Sequence, residues 1–170
     1  KDGSLRRIFI PNKEEKKELR EILLTIPNPV QRLENAHGFI EGRSPISNAL
    51  KHVKNYTPSG ILISLDLKDF FGNVRKEQIL QFIPEAIKEI VETKCFIEGA
   101  PQQGLPTSPA LANLAGIAID EAISKKIKKV WEGAIYTRYA DDLCISFPCR
   151  PLCGISAVIK DIKEIVKRCN

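Results

Sequence analysis

The feature that most constrains the fold is a pair of strand-like runs separated by three residues. Residues 134–139 read AIYTRY and residues 143–147 read LCISF, both rich in the β-branched and aromatic side chains that favour strands. Parallel strands need a crossover of a dozen or more residues, so a link of Ala-Asp-Asp allows only an antiparallel hairpin. The sequence therefore predicts a hairpin with Asp141 and Asp142 at its tip.

A further carboxylate is expected to lie near this tip. Residues 61–67 (ILISLDL) form an apolar run after a Pro-Ser-Gly turn, which is typical of a central strand, and Asp66 lies near its end. If this strand joins the hairpin, three carboxylates would repel one another unless a cation is present. The alternative is a solvated turn at Asp141 and Asp142, with Asp66 as a strand-end cap. The acidic pair alone does not decide between them.

The other patterns are mainly helical. A short strand that follows the Asp2-Gly3 turn and ends at Pro11 is predicted as the second half of a hairpin. Asn12 and Glu15 resemble a capping box, and Ser108 with Pro109 is expected to open a long helix. Helices are predicted over 13–26, 46–53, 76–82, 85–92 and 108–130, and a last one carries an apolar stripe over 155–166. We therefore expect an α+β fold with a small antiparallel sheet packed by helices.

Composition narrows the class of protein. The chain has 26 Lys plus Arg against 21 Asp plus Glu, a net charge of +5 that suits an anionic partner such as nucleic acid. No apolar run approaches the ~18 residues of a membrane span, so we expect no membrane partner. Five cysteines, an odd number, favour a reducing cytosol, and a zinc cluster of Cys149, Cys153 and Cys169 is a weak alternative. Without any Met, the chain is expected to be a segment of a longer protein.

Several segments resemble, in order, the motifs of reverse transcriptases. The strongest are residues 63–71 (ISLDLKDFF), 103–109 (QGLPTSP) and 139–142 (YADD). Ahead of them, RxIxxP at 6–11 and AHGF with GRS at 36–44 resemble the fingers blocks of prokaryotic members. Residues 48–52 (NALKH) match the Asn-Ala-x-x-His signature of retron reverse transcriptases, and Leu143 after the acidic pair is also retron-like. The chain thus resembles the fingers and palm segment of a retron-type reverse transcriptase, with group II intron-type enzymes (maturases) as the near alternative.

The resemblance implies a polymerase palm over residues 61–170 and a partial fingers region over residues 1–60. The thumb, the later palm motifs and the retron Val-Thr-Gly element would follow Asn170. The implied activity is RNA-directed DNA synthesis, in which two Mg²⁺ ions, or Mn²⁺ as a substitute, act in nucleotidyl transfer. Asp66 and Asp141 would ligate the metals, the carbonyl of Leu67 would add a ligand, and Asp142 would support the site.

The resemblance also assigns residues to substrates. Phe71 would be the steric gate against the ribose 2′-OH, with a core phenylalanine as the alternative. The other nucleotide-binding residues would be Lys1, Arg6, Gln103 and Gly104, while Tyr139 would touch the primer. Asn48 and His52 would contact RNA. The equal alternative is structural, with Asn48 as a helix cap and His52 as a buried histidine that has hydrogen-bond partners. For His37 and Arg43 the choice between a functional and a structural role also stays open. The chain departs from the family at Gly72-Asn73 and Pro101-Gln102, neither of which is a metal ligand.

The implied partners are an RNA template and primer, a structured noncoding RNA, deoxynucleoside triphosphates and an effector protein of a defence system, in the bacterial cytoplasm. Two other classes of protein share part of this pattern. A nucleotide cyclase also uses strand-end carboxylates and two metals, but gives no reason for the QGLPTSP segment. The second class is a non-catalytic RNA-binding scaffold with the same fold. The intact Asp66, Asp141 and Asp142 argue against it for the parent protein, but it stays an alternative for this segment alone.

Overall fold

The computed structural model describes residues 7–29 and 32–169. These residues divide into two compact units, one with residues 7–28 and 69–115 and one with residues 29, 32–68 and 116–169. Each unit combines segments from both sides of residue 60, so the fingers–palm boundary stays a prediction. The elements in chain order are α1 (Lys13–Thr25), α2 (Pro45–Lys51), a 3₁₀ turn (Val53–Asn55), β1 (Ile61–Asp66), α3 (Phe70–Asn73), α4 (Lys76–Leu80), α5 (Glu85–Lys94), α6 (Ser108–Val130), β2 (Ile135–Tyr139), β3 (Asp142–Phe147) and α7 (Ile155–Cys169).

Helix α1 begins where its capping residues predict. The Asn12 side chain accepts hydrogen bonds from the N–H groups of Glu14 and Glu15, and the Glu15 carboxylate accepts one from the Asn12 N–H, which completes the capping box. Leu19 and Ile22 are buried on the inner face of the helix. Helices α2, α4, α5, α6 and α7 also form where the sequence predicts them, within a few residues at their ends.

The short strand predicted ahead of Pro11 is wrong for the part that the structure describes. Residues 7–10 have no regular secondary structure, and Ile8 and Ile10 are exposed. The Phe9 N–H donates to the Gln103 carbonyl at 2.8 Å, but within the described ranges no strand runs beside this segment to form a ladder. The turn predicted at Asp2-Gly3 lies outside the described residues.

The second unit contains an antiparallel sheet in the order β1-β3-β2. The predicted hairpin is confirmed, but the prediction that residues 61–67 form a central strand is wrong. The central strand is β3, which pairs with both neighbours, and β1 lies at the edge of the sheet as described. Exposure alternates along β1, where Ile63 is buried while Leu62 and Ser64 are exposed. The apolar run is therefore a half-buried strand rather than one covered on both faces.

One face of the sheet belongs to the core of the second unit. Ile63 from β1 and Leu143, Ile145 and Phe147 from β3 are buried, and Trp131 meets Phe147 edge to face at 5.9 Å. The stripe of α7 contributes buried Val158, Ile162 and Ile165, as its periodicity predicts. Across the described ranges, no helix has the length and apolar character required to cross a membrane.

The two faces of β1 lead to a stability prediction for a protein that contains this chain. Replacing Ile63 by Ala is expected to lower the free energy of unfolding by about 2–5 kcal/mol, because it leaves a cavity in the core. The neighbouring Leu62→Ala is the matched control and should change that free energy by less than about 0.5 kcal/mol. Equal effects of the two variants in urea denaturation would contradict the assignment of the faces.

Candidate active site

Carboxylates gather where the ladder between β1 and β3 ends. Asp66 is directly opposite Asp142, which places both Cβ atoms on one face about 4.5–5.5 Å apart. Both residues are exposed, and Asp141 is partly buried. Partial burial and the negative charges of Asp141 and Asp66 raise the pKa of Asp142 above its usual value. The three carboxylates therefore act on one another electrostatically, as the sequence predicts.

Tyr139 belongs to the same row of side chains. It is opposite Asp142 on the other flank of β3, so Tyr139, Asp142 and Asp66 face the same side across the three strands. The Tyr139 side chain is partly buried. The aromatic ring of Tyr139 therefore lies next to the concentrated negative charge of Asp142 and Asp66.

The turn that carries Asp141 is tied to the end of β1. The Leu67 N–H donates to the Asp141 carbonyl at 2.9 Å, one residue beyond the last ladder pair. Ala140 has φ +55°, in the left-handed region that residues other than Gly, Asn and Asp seldom adopt. The position of Asp141 thus depends on a strained residue before it and a backbone bond beside it.

A buried ion pair lies beneath this turn, and the sequence analysis missed it. The Arg138 guanidinium donates from Nε to Asp120 Oδ1 and from Nη2 to Asp120 Oδ2, both at 2.9 Å, and from Nη1 to the Ala140 carbonyl at 3.1 Å. The side chains of Arg138 and Asp120 are 0% and 1% exposed. The available signal was an aspartate inside the apolar run of α6 and an arginine inside a strand, since buried charges require partners.

Tyr136 completes this network. Its hydroxyl donates to Asp120 Oδ1 at 2.6 Å. Burial and the negative charge of Asp120 raise the pKa of Tyr136 well above its usual value, so the phenol stays protonated and keeps donating. Asp120 is therefore a shared acceptor for the Arg138 guanidinium and the Tyr136 phenol.

The AHG sequence at residues 36–38 packs backbone to backbone against the hairpin. The His37 N–H donates to the Arg138 carbonyl at 2.7 Å, and the Arg138 N–H donates to the Asn35 carbonyl at 2.8 Å. A Cβ on Gly38 would lie 2.4 Å from the Ala140 nitrogen, a distance too short for any side chain at position 38. Glycine at position 38 is therefore a packing requirement of the strained turn.

His37 and Arg43 have internal partners. His37 is 3% exposed, its Nδ1 bonds the Ser47 hydroxyl at 2.9 Å, and burial together with the charge of Arg43 lowers its pKa. The Arg43 guanidinium donates to the carbonyls of Leu33, Glu34 and Ala36. Both side chains thus hold the segment before α2 in place.

His52 shows the structural role that the sequence left open. It is 8% exposed, with Nδ1 2.7 Å from the Ser146 hydroxyl and Nε2 2.8 Å from the Thr137 hydroxyl, and burial lowers its pKa. The helix-cap reading of Asn48 is wrong, because Ser44 caps α2. Asn48 Oδ1 is buried without a hydrogen-bond partner among the described residues.

Three expected nucleotide-binding residues belong to the first unit, whereas the carboxylates belong to the second. Phe71 is partly buried and meets Phe70 edge to face at 6.2 Å. Gly104 has φ +106°, and a Cβ there would lie 2.0 Å from the Phe9 carbonyl oxygen, while Gln103 bonds the Phe9 N–H. Their roles stay predictions. Lys1 and Arg6 lie outside the described residues.

Metal-ligand geometry is not preformed in the described part of the chain. Residues 7–29 and 32–169 include no group of three or more His, Cys, Asp or Glu side chains arranged to hold a metal ion. All five cysteines are free thiols, with Cys149 and Cys153 exposed. The zinc alternative for Cys149, Cys153 and Cys169 therefore gains no support from the structure.

Comparison with known proteins agrees with the resemblance. The family model for reverse transcriptase (RNA-dependent DNA polymerase) matches residues 1–170. The retron Ec73 reverse transcriptase of Escherichia coli is 30% identical over 161 residues, covering 86% of this chain and 50% of that protein. The retron Mx162 reverse transcriptase of Myxococcus xanthus is 33% identical over 173 residues, covering 86% of this chain and 34% of that protein.

The match therefore spans half or less of the length of these two curated relatives. The family model nevertheless covers the whole chain, including the carboxylates at the end of the ladder and the YADD turn. The chain belongs to the reverse transcriptase (RNA-dependent DNA polymerase) family.

Proposed function

We propose that the protein containing this chain is an RNA-directed DNA polymerase of the retron type, which extends a primer on an RNA template by nucleotidyl transfer. The observation that carries the proposal is the pairing of Asp66 with Asp142 beside the YADD turn, in a chain of the reverse transcriptase family. Such a pairing concentrates negative charge on an exposed edge, a cost that a structural turn has no reason to bear.

The carboxylates fit Mg²⁺ or Mn²⁺ by the chemistry of their oxygens. Hard divalent cations take carboxylate, carbonyl and water oxygens. The raised pKa of Asp142 reflects partial burial first and then the negative charges of Asp141 and Asp66. Asp66 and Asp141 would hold the ions, with the Leu67 carbonyl as a further ligand and Asp142 in support. When bound, two such ions would supply charge stabilisation to the attacking and leaving oxygens of an in-line phosphoryl displacement.

Other residues of the chain would bind and orient the substrates. Tyr139, in the row with Asp142 and Asp66, would contact the primer end. Phe71 would exclude a ribose 2′-OH. Gln103, Gly104, Lys1 and Arg6 would bind the incoming deoxynucleoside triphosphate, since guanidinium and ammonium groups hold phosphates. The net charge of +5 supports retention of RNA mainly through its backbone.

The names of the relatives favour a retron enzyme over an intron-type maturase. A structured noncoding RNA is therefore part of the proposal, as is an effector protein. His52 is not needed for direct RNA contact, because both of its ring nitrogens have partners inside the unit. A non-catalytic RNA-binding scaffold is the second candidate, and the substitution of Asp141 below separates it from the polymerase.

Metal binding is expected to stabilise the full-length protein. At a free Mg²⁺ concentration ten times its Kd, binding to the folded state alone contributes about 1.4 kcal/mol. Thermal melts should then show a rise in Tm of roughly 3–6 °C for a domain of 150–250 residues. Asp66→Asn should raise the Tm without metal, because it relieves like-charge repulsion, and should lose the Mg²⁺-dependent rise. An unchanged wild-type Tm at millimolar Mg²⁺ would contradict the assignment of the site.

Asp141→Asn in the full-length protein is expected to abolish primer extension on RNA. The turnover should fall by at least about 10²–10³-fold, as for the loss of one group that stabilises developing charge, while the Kd for RNA stays nearly unchanged. Asp161→Asn makes the same chemical change in α7, where Asp161 pairs with Lys126, and should preserve synthesis. Equal extension by wild type and Asp141→Asn would refute the mechanism, and parallel loss of binding and synthesis would favour a structural carboxylate.

Sugar selection tests the expected role of Phe71. Phe71→Ala should raise the ratio of kcat/KM for ribonucleotide to that for deoxynucleotide by about 10-fold or more, because a small side chain leaves room for the 2′-OH. The ratio cancels a general loss of folded enzyme. Phe70→Ala is the matched control, since Phe70 is buried beside Phe71 and its loss should lower stability without changing the ratio. An unchanged ratio in a folded Phe71→Ala protein would make Phe71 only a core residue.

A further inference from the structure

The turn before Asp141 needs an explicit support. Ala140 at φ +55° has a conformation that is unfavourable for a residue with a Cβ. Such a conformation persists only when its surroundings determine it. A single flip of this residue would redirect Asp141, which follows it directly, so the support of Ala140 also determines the position of the carboxylate.

Arg138 provides that support from inside the second unit. Its Nη1 donates to the Ala140 carbonyl at 3.1 Å, while Nε and Nη2 hold both oxygens of Asp120. Gly116, one turn before Asp120 on α6, makes room for the guanidinium, because a Cβ there would lie 2.5 Å from Arg138 Cζ. The fork geometry of arginine allows one side chain to bind the carboxylate and the carbonyl together.

Stability alone does not account for this arrangement. A buried ion pair costs so much desolvation that apolar side chains of similar volume often serve as well or better for stability. Here the ion pair is fully buried and one arm of it reaches the strained turn. The turn has two further backbone restraints, the Leu67 N–H on the Asp141 carbonyl and the close approach of Gly38 to the Ala140 nitrogen.

We propose that Arg138, oriented by Asp120, is a positioning residue that holds the Ala140 turn and thereby aims Asp141 for nucleotidyl transfer. This inference rests on the proposed polymerase function. It assigns Arg138 no contact with substrate. Its effect passes through the Ala140 carbonyl, whereas the Tyr136 hydroxyl touches the same Asp120 without reaching the turn.

The decisive variant replaces the pair together. In the full-length protein, Arg138→Met with Asp120→Leu removes both charges, so no unpaired charge stays buried. The Tyr136 hydroxyl loses its acceptor, so the Tm should fall below that of the wild type while the protein still folds. The turnover number should fall by about 10²-fold, the effect of a displacement near 1 Å at a reacting group. KM for the deoxynucleotide and the Kd for RNA should change by less than about 3-fold, since the binding groups lie elsewhere.

A readout independent of activity follows the turn itself. Amide hydrogen exchange should accelerate at residues 140–142 and at Leu67, whose N–H bonds the Asp141 carbonyl, while α7 keeps the protection of the wild type. If the wild-type protein does not synthesise DNA, the proposed function fails, and the exchange comparison still tests the positioning role. Unchanged exchange at the turn in the folded double variant would overturn the inference.

Two matched controls distinguish the positioning role of Arg138 from the general effect of losing a nearby polar contact. Tyr136→Phe removes a hydrogen bond to Asp120 but leaves Arg138 in place, and Glu121→Gln breaks the exposed pair with Arg32 one residue along α6. Both variants should keep the wild-type turnover within about 3-fold. A loss of turnover in Glu121→Gln as large as in the double variant would overturn the inference.

Arg138→Lys gives a second, conservative test. Lysine can pair with Asp120 as a point charge but lacks the fork that also reaches the Ala140 carbonyl, so the protein should fold and lose turnover. Adding Ala140→Gly, which removes the Cβ penalty of the left-handed conformation, should restore part of the turnover. Wild-type turnover in a folded Arg138→Lys protein, or failure of both Arg138 variants to fold, would assign the pair a purely structural role and overturn the inference.

Discussion

The backbone ladder between β1 and β3 is the interaction on which the site depends. It extends from the Ile61–Phe147 pair to the Asp66–Asp142 pair, so the register fixes which side chains face one another. A slip of one residue would move Asp66 to the core face and Leu65 to the open face. The same register that buries Ile63 against the core thus places a carboxylate opposite a carboxylate. The core packing of β1 and the juxtaposition of the two carboxylates are set by one set of hydrogen bonds.

That geometry is energetically unfavourable, and the groups around the turn stabilise it. The Asp142 carboxylate is destabilised by partial desolvation and by its two acidic neighbours, as the rise in its pKa reflects, and Ala140 is strained. Opposing these terms are the Leu67 N–H, the close backbone of Gly38 and the buried guanidinium of Arg138. Each of these restraints acts on backbone atoms rather than on the carboxylates. The side-chain oxygens are therefore left available for a cation.

The sequence determined the local elements better than their arrangement. The hairpin followed from a link of three residues, and α1 followed from the capping pair of Asn12 and Glu15, because both are short-range effects. The edge position of β1 depends on pairing with a strand about 80 residues away, which periodicity does not encode. Residues 7–10 have strand propensity but no strand beside them in the described structure, so tertiary context overrode it.

The carboxylates were found from sequence because the motif is local, whereas their buried support was not. Asp120 and Arg138 are 18 residues apart, and neither has a sequence pattern that names the other as its partner. A charged residue inside an apolar helix or strand indicates only that some partner exists. Three-dimensional packing is needed to show that the partner of Asp120 also touches the turn before Asp141. The Nη1 bond to the Ala140 carbonyl is what connects this buried pair to the turn and supports the proposed positioning role of Arg138.

Helix α2 shows how the site also shapes its surroundings. Its exposed positions include Ile46 and Leu50, while Asn48 Oδ1 is buried and His52, its C-cap, bonds the hydroxyls of Thr137 and Ser146. Those hydroxyls lie on the same face of the sheet as Asp142, which is necessarily polar at its acidic end. A helix that covers such a face must present hydrogen-bonding side chains to it. His52, at the end of this helix, therefore meets the hydroxyl-bearing face of the sheet rather than an apolar core.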